Sequence, residues 1–176
     1  IEDDSAATEP VPNAVFHLDD VAEKERYDLW KDSIAGIFDV DGEKDVRKES
    51  FSAQVDANMF GPVMVARTET LGQSWKRTPS IMARDGMDHY MVQLYERGQM
   101  QWEDGTGTRE LPEKGLVIFD LAREMASRTN DFANISLIIP RDMLEGALKS
   151  QNDQHLRTLS GEEPMVKLLR DHMMSL

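Results

Sequence analysis

The sequence predicts a mainly β domain, either a sandwich or a barrel, with helices before and after it. The first observation is a period of two in the apolar residues between Phe51 and Ile139, in short stretches separated by Gly, Pro and Asp turn signals. The second is a helical period in the segments on either side. Many short strands at close spacing are typical of an all-β core, and 176 residues suffice for one such domain with appended helices.

Composition excludes several kinds of protein. The chain has no cysteine, so disulfides, thiolate zinc sites and cysteine nucleophiles are ruled out. Its formal net charge of −13 has the wrong sign for holding a phosphate backbone, and we expect this chain not to bind nucleic acid directly. No apolar run approaches the roughly 20 residues that span a bilayer. We therefore expect a cytoplasmic protein without a membrane partner.

The N-terminal part is predicted to hold a tail and one helix. Residues 1–15 combine acids, Ala, Ser and Pro, which favours a loose acidic tail. A helix is expected over 20–36, opened by an acidic capping box of Asp20 and Glu23. Its apolar stripe consists of Tyr27, Trp30, Ile34 and Ile37. The acidic segment that follows lacks the Gly and the final Glu of a calcium loop, so a solvated turn is expected there.

About eight strands are expected in the central segment. They lie at 51–57, 62–70, 80–84, 89–96, 99–103, 106–111, 115–120 and 134–139. Turn dipeptides such as Arg97-Gly98 separate them. The Gly-Thr-Gly at 105–107 lies between two strands and does not precede a helix, so it indicates a turn and not a nucleotide-binding loop.

Two helices are expected after the strands. The first begins at Pro140, and the second follows a capping-box pattern of Ser160 and Glu163. An apolar stripe on the second helix is formed by Val166, Leu169, Met173 and Leu176. Because this spacing matches a coiled-coil seam and so short a helix is marginal alone, we expect a homodimer interface here. The alternative is that the stripe packs on its own barrel or on the preceding helix.

The sequence offers little catalytic chemistry. The four histidines fall in four different elements: His17, His89, His155 and His172. No two of them have metal-chelating spacing, and Ser74 lacks the second Gly of a nucleophile elbow. We therefore expect no catalytic residue, no metal site and no cofactor.

The barrel interior is the expected binding site, since a barrel of about eight strands can enclose one small ligand. Both faces of the central strands are included in the prediction, because the pattern does not fix which face points inward. The candidate lining residues are Tyr90, Val92, Gln93, Tyr95, Trp102 and Phe119, with Arg67, Trp75 or Arg77 at the mouth. Aromatic area and a bidentate arginine favour an organic acid or an aromatic compound. The alternative is a fully packed core.

Residues 75–125 carry several motifs in a characteristic order. An Arg-Thr-Pro segment at 77–79 is followed by Asp88 and Tyr90 leading a strand, Gly98 at a hairpin, and a Pro-x-x-Gly turn at 112–115 before Leu-Val-Ile-Phe-Asp. With "SLIIPRDMLEGAL" further on, this order resembles the N-terminal regulatory domain of bacterial AraC-type transcription regulators. The resemblance covers roughly 20–176.

The resemblance implies a cupin-like β-barrel or jelly roll that senses a small-molecule effector, followed by helices that dimerise. The implied organisation is a tail at 1–15, a barrel with its N-terminal helix at 16–139, and dimerisation helices at 140–176. DNA would be bound only by a C-terminal domain that this chain does not contain. The alternatives are a small metal-independent cupin-like enzyme, and a purely dimerising module whose barrel is packed solid.

Overall fold

A computed structural model describes residues 11–42 and 51–176 and confirms the mainly β class. Twelve strands are found in these two segments. In chain order they are β1 (Asn13–His17), β2 (Asp39–Asp41), β3 (Ala53–Phe60), β4 (Val63–Thr70), β5 (Gln73–Arg77), β6 (Tyr90–Arg97), β7 (Met100–Glu103), β8 (Thr108–Glu110), β9 (Leu116–Asp120), β10 (Met125–Thr129), β11 (Phe132–Ile139) and β12 (Arg157–Leu159).

Helices flank the strands. They are α1 (Glu23–Ile34), α2 (Pro79–Asp85), α3 (Arg141–Glu145) and α4 (Pro164–Met174), with a 3₁₀ turn at Gln151–Asp153. Within the described segments, no helix is both long enough and apolar enough to cross a membrane.

The strands form two antiparallel sheets, which together make the predicted cupin-like jelly roll. The order is β1-β3-β4-β11-β6-β9-β12 in the seven-stranded sheet and β2-β5-β10-β7-β8 in the five-stranded sheet. The hairpin between β6 and β7 turns at Gly98, whose φ is 87°. A Cβ at Gly98 would lie 2.4 Å from the Asp131 carbonyl oxygen, so only glycine fits both this conformation and this space.

An aromatic core fills the space between the sheets. The Trp75 ring lies 6.2 Å from Trp30 of α1, 5.8 Å from Phe38 and 5.8 Å from Phe132, measured between ring centroids. The Trp30 indole donates a 3.0 Å hydrogen bond to the Gln73 side chain, so its polar atom is satisfied inside the core. The N-terminal helix therefore covers the barrel through Trp30, as the predicted apolar stripe requires.

The outer face of the seven-stranded sheet carries a second apolar cluster. Leu94 and Ile135 of the sheet are fully buried there beneath Val166 and Met173 of α4. Burying a side chain of this size stabilises the fold by roughly 1.5–3 kcal/mol. The loop before α4 passes close to the loop between β8 and β9 at Gly161, where a Cβ would lie 2.4 Å from the Lys114 carbonyl oxygen. This contact fixes the position at which the C-terminal helix begins. The C-terminal helix is thus an integral part of the domain.

Several local predictions were wrong. Residues 80–84 belong to helix α2, which starts at Pro79 and is capped by the Thr78 hydroxyl accepting from the Ile81 N–H at 3.3 Å. Strands β5 and β10 were missed. Neither expected capping box forms, since the N-cap residues of α1 and α4 are Ala22 and Glu163, without side-chain caps.

The two ends of the chain contain more strand than expected. Strand β1 begins at Asn13, inside the expected tail, and pairs with β3; residues 1–10 lie outside the described residues. The helix expected from Pro140 ends at Glu145. Strand β12 then pairs with β9, so part of the C-terminal segment completes the seven-stranded sheet.

Candidate functional site

The structure settles which face of β6 points into the barrel. Met91 and Tyr95 are buried in the core between the sheets, and Gln93 lies between them on the same face. Val92 and Leu94 point outward and pack in the cluster beneath α4. The strand thus separates an interior wall from a docking surface for the C-terminal helix.

A small cavity lies within the apolar core between the two sheets. Five aromatic side chains line it: Phe38, Trp75, Tyr95, Phe119 and Phe132. Three methionines complete the apolar wall: Met91, Met100 and Met125. The polar lining residues are Gln93, Ser127 and Thr129. Among the described residues the lining therefore contains no charged side chain.

The cavity volume is about 20 Å³. That is room for about one water molecule, whereas pockets for small ligands measure roughly 300–1,000 Å³. The interior as seen here is nearly filled by its own side chains. A ligand of ordinary size would have to displace some of them.

Hydrogen bonds between uncharged side chains satisfy several of the polar atoms in the barrel interior. The Trp75 indole donates to the Thr129 hydroxyl at 2.9 Å, and the Gln93 amide donates to the Ser136 hydroxyl at 3.2 Å. Burial raises the pKa of the Tyr95 phenol, which keeps it protonated and uncharged. Asn134, paired with Tyr95 in the sheet register, has a buried side-chain oxygen without a hydrogen-bond partner among the described residues. The interior thus offers amide and hydroxyl groups but no charge.

Four of the nine predicted ligand residues line the cavity: Trp75, Gln93, Tyr95 and Phe119. Trp102 is buried in the same core without lining it. Val92 and Tyr90 lie outside the barrel, and the Tyr90 hydroxyl contacts Arg141 at 2.7 Å and the Gln151 carbonyl at 3.0 Å.

Arg77 is a structural residue in this fold. It is only 1% exposed, and its guanidinium uses all five of its donors. Nε donates to the Leu121 carbonyl at 2.7 Å, and the two terminal nitrogens bind both oxygens of Asp85 at 2.7 and 3.0 Å. The remaining two hydrogen bonds go to the carbonyls of Ile37 and Met87, both at 3.0 Å. No donor remains for a ligand.

Arg67 also lies away from the cavity. It is exposed on the outer face of β4, where its Nη2 donates to the carbonyls of Met173 and Met174 at 3.3 and 3.2 Å. These carbonyls belong to the last turn of α4, which a cation stabilises by hydrogen bonding and by its charge. Its role here is to hold the end of the C-terminal helix.

An open groove beside Arg67 has a different character from the interior. Its volume is about 290 Å³, and its wall includes the carboxylates Asp56, Glu69 and Glu96. Within the described residues, no group of three or more histidine, aspartate or glutamate side chains is arranged to hold a metal ion. The groove is thus a charged surface feature outside the barrel.

The predicted dimer residues divide into two sets. Val166 and Met173 are each 2% exposed because they pack on the chain's own sheet, and Leu169 is partly buried against the same cluster. Leu176 is exposed. The apolar surface that α4 leaves uncovered is formed by Met165, Leu168, Met174 and Leu176.

Five cavity residues were not predicted: Phe38, Met125, Ser127, Thr129 and Phe132. Three of the five belong to β10, which sequence reasoning did not recognise as a strand. Its signal was present, since Met125, Ser127 and Thr129 alternate with the exposed Ala126 and Arg128.

A family model and several solved structures match this chain. The family model for the AraC-binding-like domain matches residues 38–176. The crystal structure of the AraC-like transcriptional activator CuxR superposes with a TM-score of 0.82 at 20% identity, covering 93% of this chain and 59% of that one. A cupin-2 domain from Rhodospirillum rubrum aligns with a TM-score of 0.36 at 12% identity, over 78% of this chain and 86% of that domain.

One curated relative was also found. An uncharacterised protein in the nit 5′ region of Bacillus sp. (strain OxB-1) is 20% identical over 139 residues, covering 78% of this chain and 54% of the relative. The chain thus spans about half the length of this curated relative.

The two-sheet barrel of this chain is the architecture that it shares with the CuxR structure. Because the family model covers well over half of its length, the chain belongs to the AraC-binding-like domain family.

Proposed function

We propose that this chain senses a small organic effector inside its barrel and forms a homodimer, as part of an AraC-type transcription regulator. DNA binding is assigned to another domain of the whole protein, which agrees with the net charge of −13. The described cavity lining includes no carboxylate or histidine, which supports sensing over catalysis.

The observation that carries the sensing proposal is the composition of the cavity wall. A wall of aromatic rings and methionines, with a few amide and hydroxyl groups, has the composition of a small-molecule site. Methionine is unbranched and has three rotatable bonds, so it repacks at low cost. Movement of Met91, Met100 and Met125 is the route by which the cavity would enlarge around an effector.

A cavity-filling substitution tests this proposal. Ser127→Leu places an apolar side chain into the cavity, whereas Ala126→Leu places the same side chain on the exposed face of the same strand. We would screen a metabolite library against the wild-type chain by thermal shift. The compounds that stabilise the wild type should stabilise Ala126→Leu equally and have no effect on folded Ser127→Leu. Compounds that still stabilise Ser127→Leu bind elsewhere, which would refute the interior site.

The cavity volume of about 20 Å³ favours a second candidate, a dimerising module whose barrel serves only as a scaffold. Under this alternative no library member stabilises the chain, and Ser127→Leu only destabilises it by overpacking, at about 1–3 kcal/mol. The same screen therefore separates the two functions.

The dimerisation proposal uses the uncovered side of α4. Met165 is 72% exposed and Leu168 is 61% exposed, on the side of the helix opposite the sheet. Burying each such side chain against a second copy would contribute roughly 1.5–3 kcal/mol. Val166 and Met173 already fill the intramolecular interface, so they would support the dimer by holding α4 in place.

Charge on this side of α4 tests the dimer. Leu168→Arg should convert a dimer to a folded monomer in sedimentation equilibrium at micromolar protein, while Leu29→Arg should leave it dimeric, since Leu29 is an exposed leucine on α1. A dimer that survives Leu168→Arg, or a wild-type chain that is monomeric, would contradict the proposed interface.

A further inference from the structure

We propose that the barrel interior admits only uncharged effectors, aromatic or largely apolar, and rejects organic acids. This inference rests on the proposed sensing role of the interior and adds the chemical class of its ligand. It departs from the expectation of a carboxylate held by arginine.

The wall of the cavity supplies the first argument. Its described polar groups are an amide and two hydroxyls, from Gln93, Ser127 and Thr129, together with the Tyr95 phenol. Thr129 already accepts from Trp75, and Gln93 already donates to Ser136. Such groups match the hydrogen bonds of an amide, an ester, a phenol or an alcohol, each of which is neutral. A carboxylate at this place would lose its hydration without gaining a cation, so it should bind more weakly than a neutral ligand of the same shape.

The second argument concerns Arg67 and Arg77, the two arginines predicted at the mouth of the pocket. Arg77 spends its five donors on Asp85 and three backbone carbonyls, and freeing one of them would strand a buried acceptor. Arg67 lies on the outer face and holds the end of α4. Neither is placed to pair with an anion inside the barrel.

The inference can be tested without knowing the effector. Phe119→Ala removes one ring from the cavity wall, where Phe119 is 2% exposed, and so leaves space for one aromatic ring. The probes are benzamide and benzoate, which have nearly the same shape and differ in charge at neutral pH. Phe60→Ala is the matched control, because Phe60 packs in the outer cluster and not in the interior. Binding is measured by calorimetry or by ligand-observed NMR.

We expect benzamide to bind Phe119→Ala saturably, with benzoate at least about tenfold weaker, and neither probe to bind Phe60→Ala. If Phe119→Ala does not fold, Phe132→Ala removes another ring from the same wall. Benzoate binding as tightly as benzamide would overturn the charge selectivity while leaving the sensing role in place. Equal binding to Phe60→Ala, or no binding to a folded interior variant, would overturn the inference and show that the interior is not a ligand site.

Discussion

Arg77 shows how one buried side chain organises this domain. Its guanidinium joins β5, the ends of α1 and α2, and the segment after β9 through five hydrogen bonds. Sequence reasoning identified the residue as special but assigned it to a ligand. The sequence could not distinguish these two roles, because an arginine that binds a carboxylate ligand and one that binds Asp85 and backbone carbonyls look the same in a sequence.

Removal of this guanidinium should be strongly destabilising. Arg77→Met leaves Asp85 and three carbonyls without their donor, and we expect a loss of about 3–5 kcal/mol in the free energy of unfolding. Arg84→Met is the control, because within residues 11–42 and 51–176 Arg84 makes a single, exposed hydrogen bond, to the Ala35 carbonyl, and its loss should cost less than about 1 kcal/mol. Urea denaturation measures the loss of unfolding free energy in each variant. An equal loss in Arg77→Met and Arg84→Met would refute the structural role of Arg77.

His155 is held in one neutral form by its hydrogen bonds. Its Nδ1 accepts from the Asp120 N–H at 3.1 Å, so Nε2 carries the proton and donates to the Glu124 carbonyl at 3.0 Å. Burial lowers the pKa of His155 below its usual value, although the Glu124 hydrogen bond and the Asp120 charge oppose this shift. Protonation would break the bond to Asp120.

This lowered pKa predicts a pH dependence of stability. The unfolded chain binds a proton at higher pH than the folded chain, so the stabilisation is complete above about pH 6.5 and is lost as the pH falls through the folded pKa. The unfolding free energy of the wild type should therefore decrease more between about pH 7.5 and about pH 5.5 than that of His155→Gln. His172→Gln, a change at an exposed position of α4, should behave as the wild type does. If the unfolding free energy of the wild type, His155→Gln and His172→Gln depended on pH in the same way, the assignment of this pH dependence to His155 would be contradicted.

Among the elements, α4 is held to the rest of the domain by two arginines. Arg170 of the helix donates to the Lys114 carbonyl, and Arg67 of β4 donates to the carbonyls of the last turn of the helix. Val166 and Met173 of α4 are buried. The apolar period predicted the helix and its buried stripe, but a period cannot tell a partner's surface from the chain's own sheet, since both bury the same side chains.

The last turn of α4 should fray when Arg67 is replaced. Arg67→Gln removes the charged donor from the carbonyls of Met173 and Met174, at a cost of less than about 1 kcal/mol because the site is exposed. Hydrogen exchange of the Ser175 and Leu176 amides, which close this turn, should accelerate. Arg97→Gln, which removes an exposed pair with Glu69, is the control and should leave these amides unchanged. Unaltered exchange in Arg67→Gln would mean that the helix end is held by packing alone.

Helix α2 shows that the spacing of apolar residues alone does not distinguish a short helix from a strand. Its sequence, PSIMARD, is short and partly apolar, and its length fits a strand as well as a helix. The capping signals of Thr78 and Pro79 were the decisive information, and they favour a helix start. A strand was predicted because residues 80–84 are a short, partly apolar stretch bounded by turn signals.

For the whole molecule, the class of fold was predictable because alternation over many strands is a redundant signal. The face of β6 that points inward was not predictable, since both of its faces are apolar and both are buried, one beneath the opposite sheet and one beneath α4. The cavity volume was also beyond sequence reasoning, because it depends on how eleven side chains from many elements pack together. Of the three polar lining residues only Gln93 was predicted, because Ser127 and Thr129 lie on the strand β10 that was missed.

The claim that the barrel interior is the sensing site is tested most directly by NMR of the methionine methyl groups. Met91, Met100 and Met125 line the cavity, whereas Met143 and Met165 are exposed outside it. When a compound that stabilises the chain is titrated, we expect saturable shifts of the three cavity methyl groups and little change at Met143 and Met165. Shifts confined to the exposed methionines, with the cavity methyl groups unmoved, would contradict it.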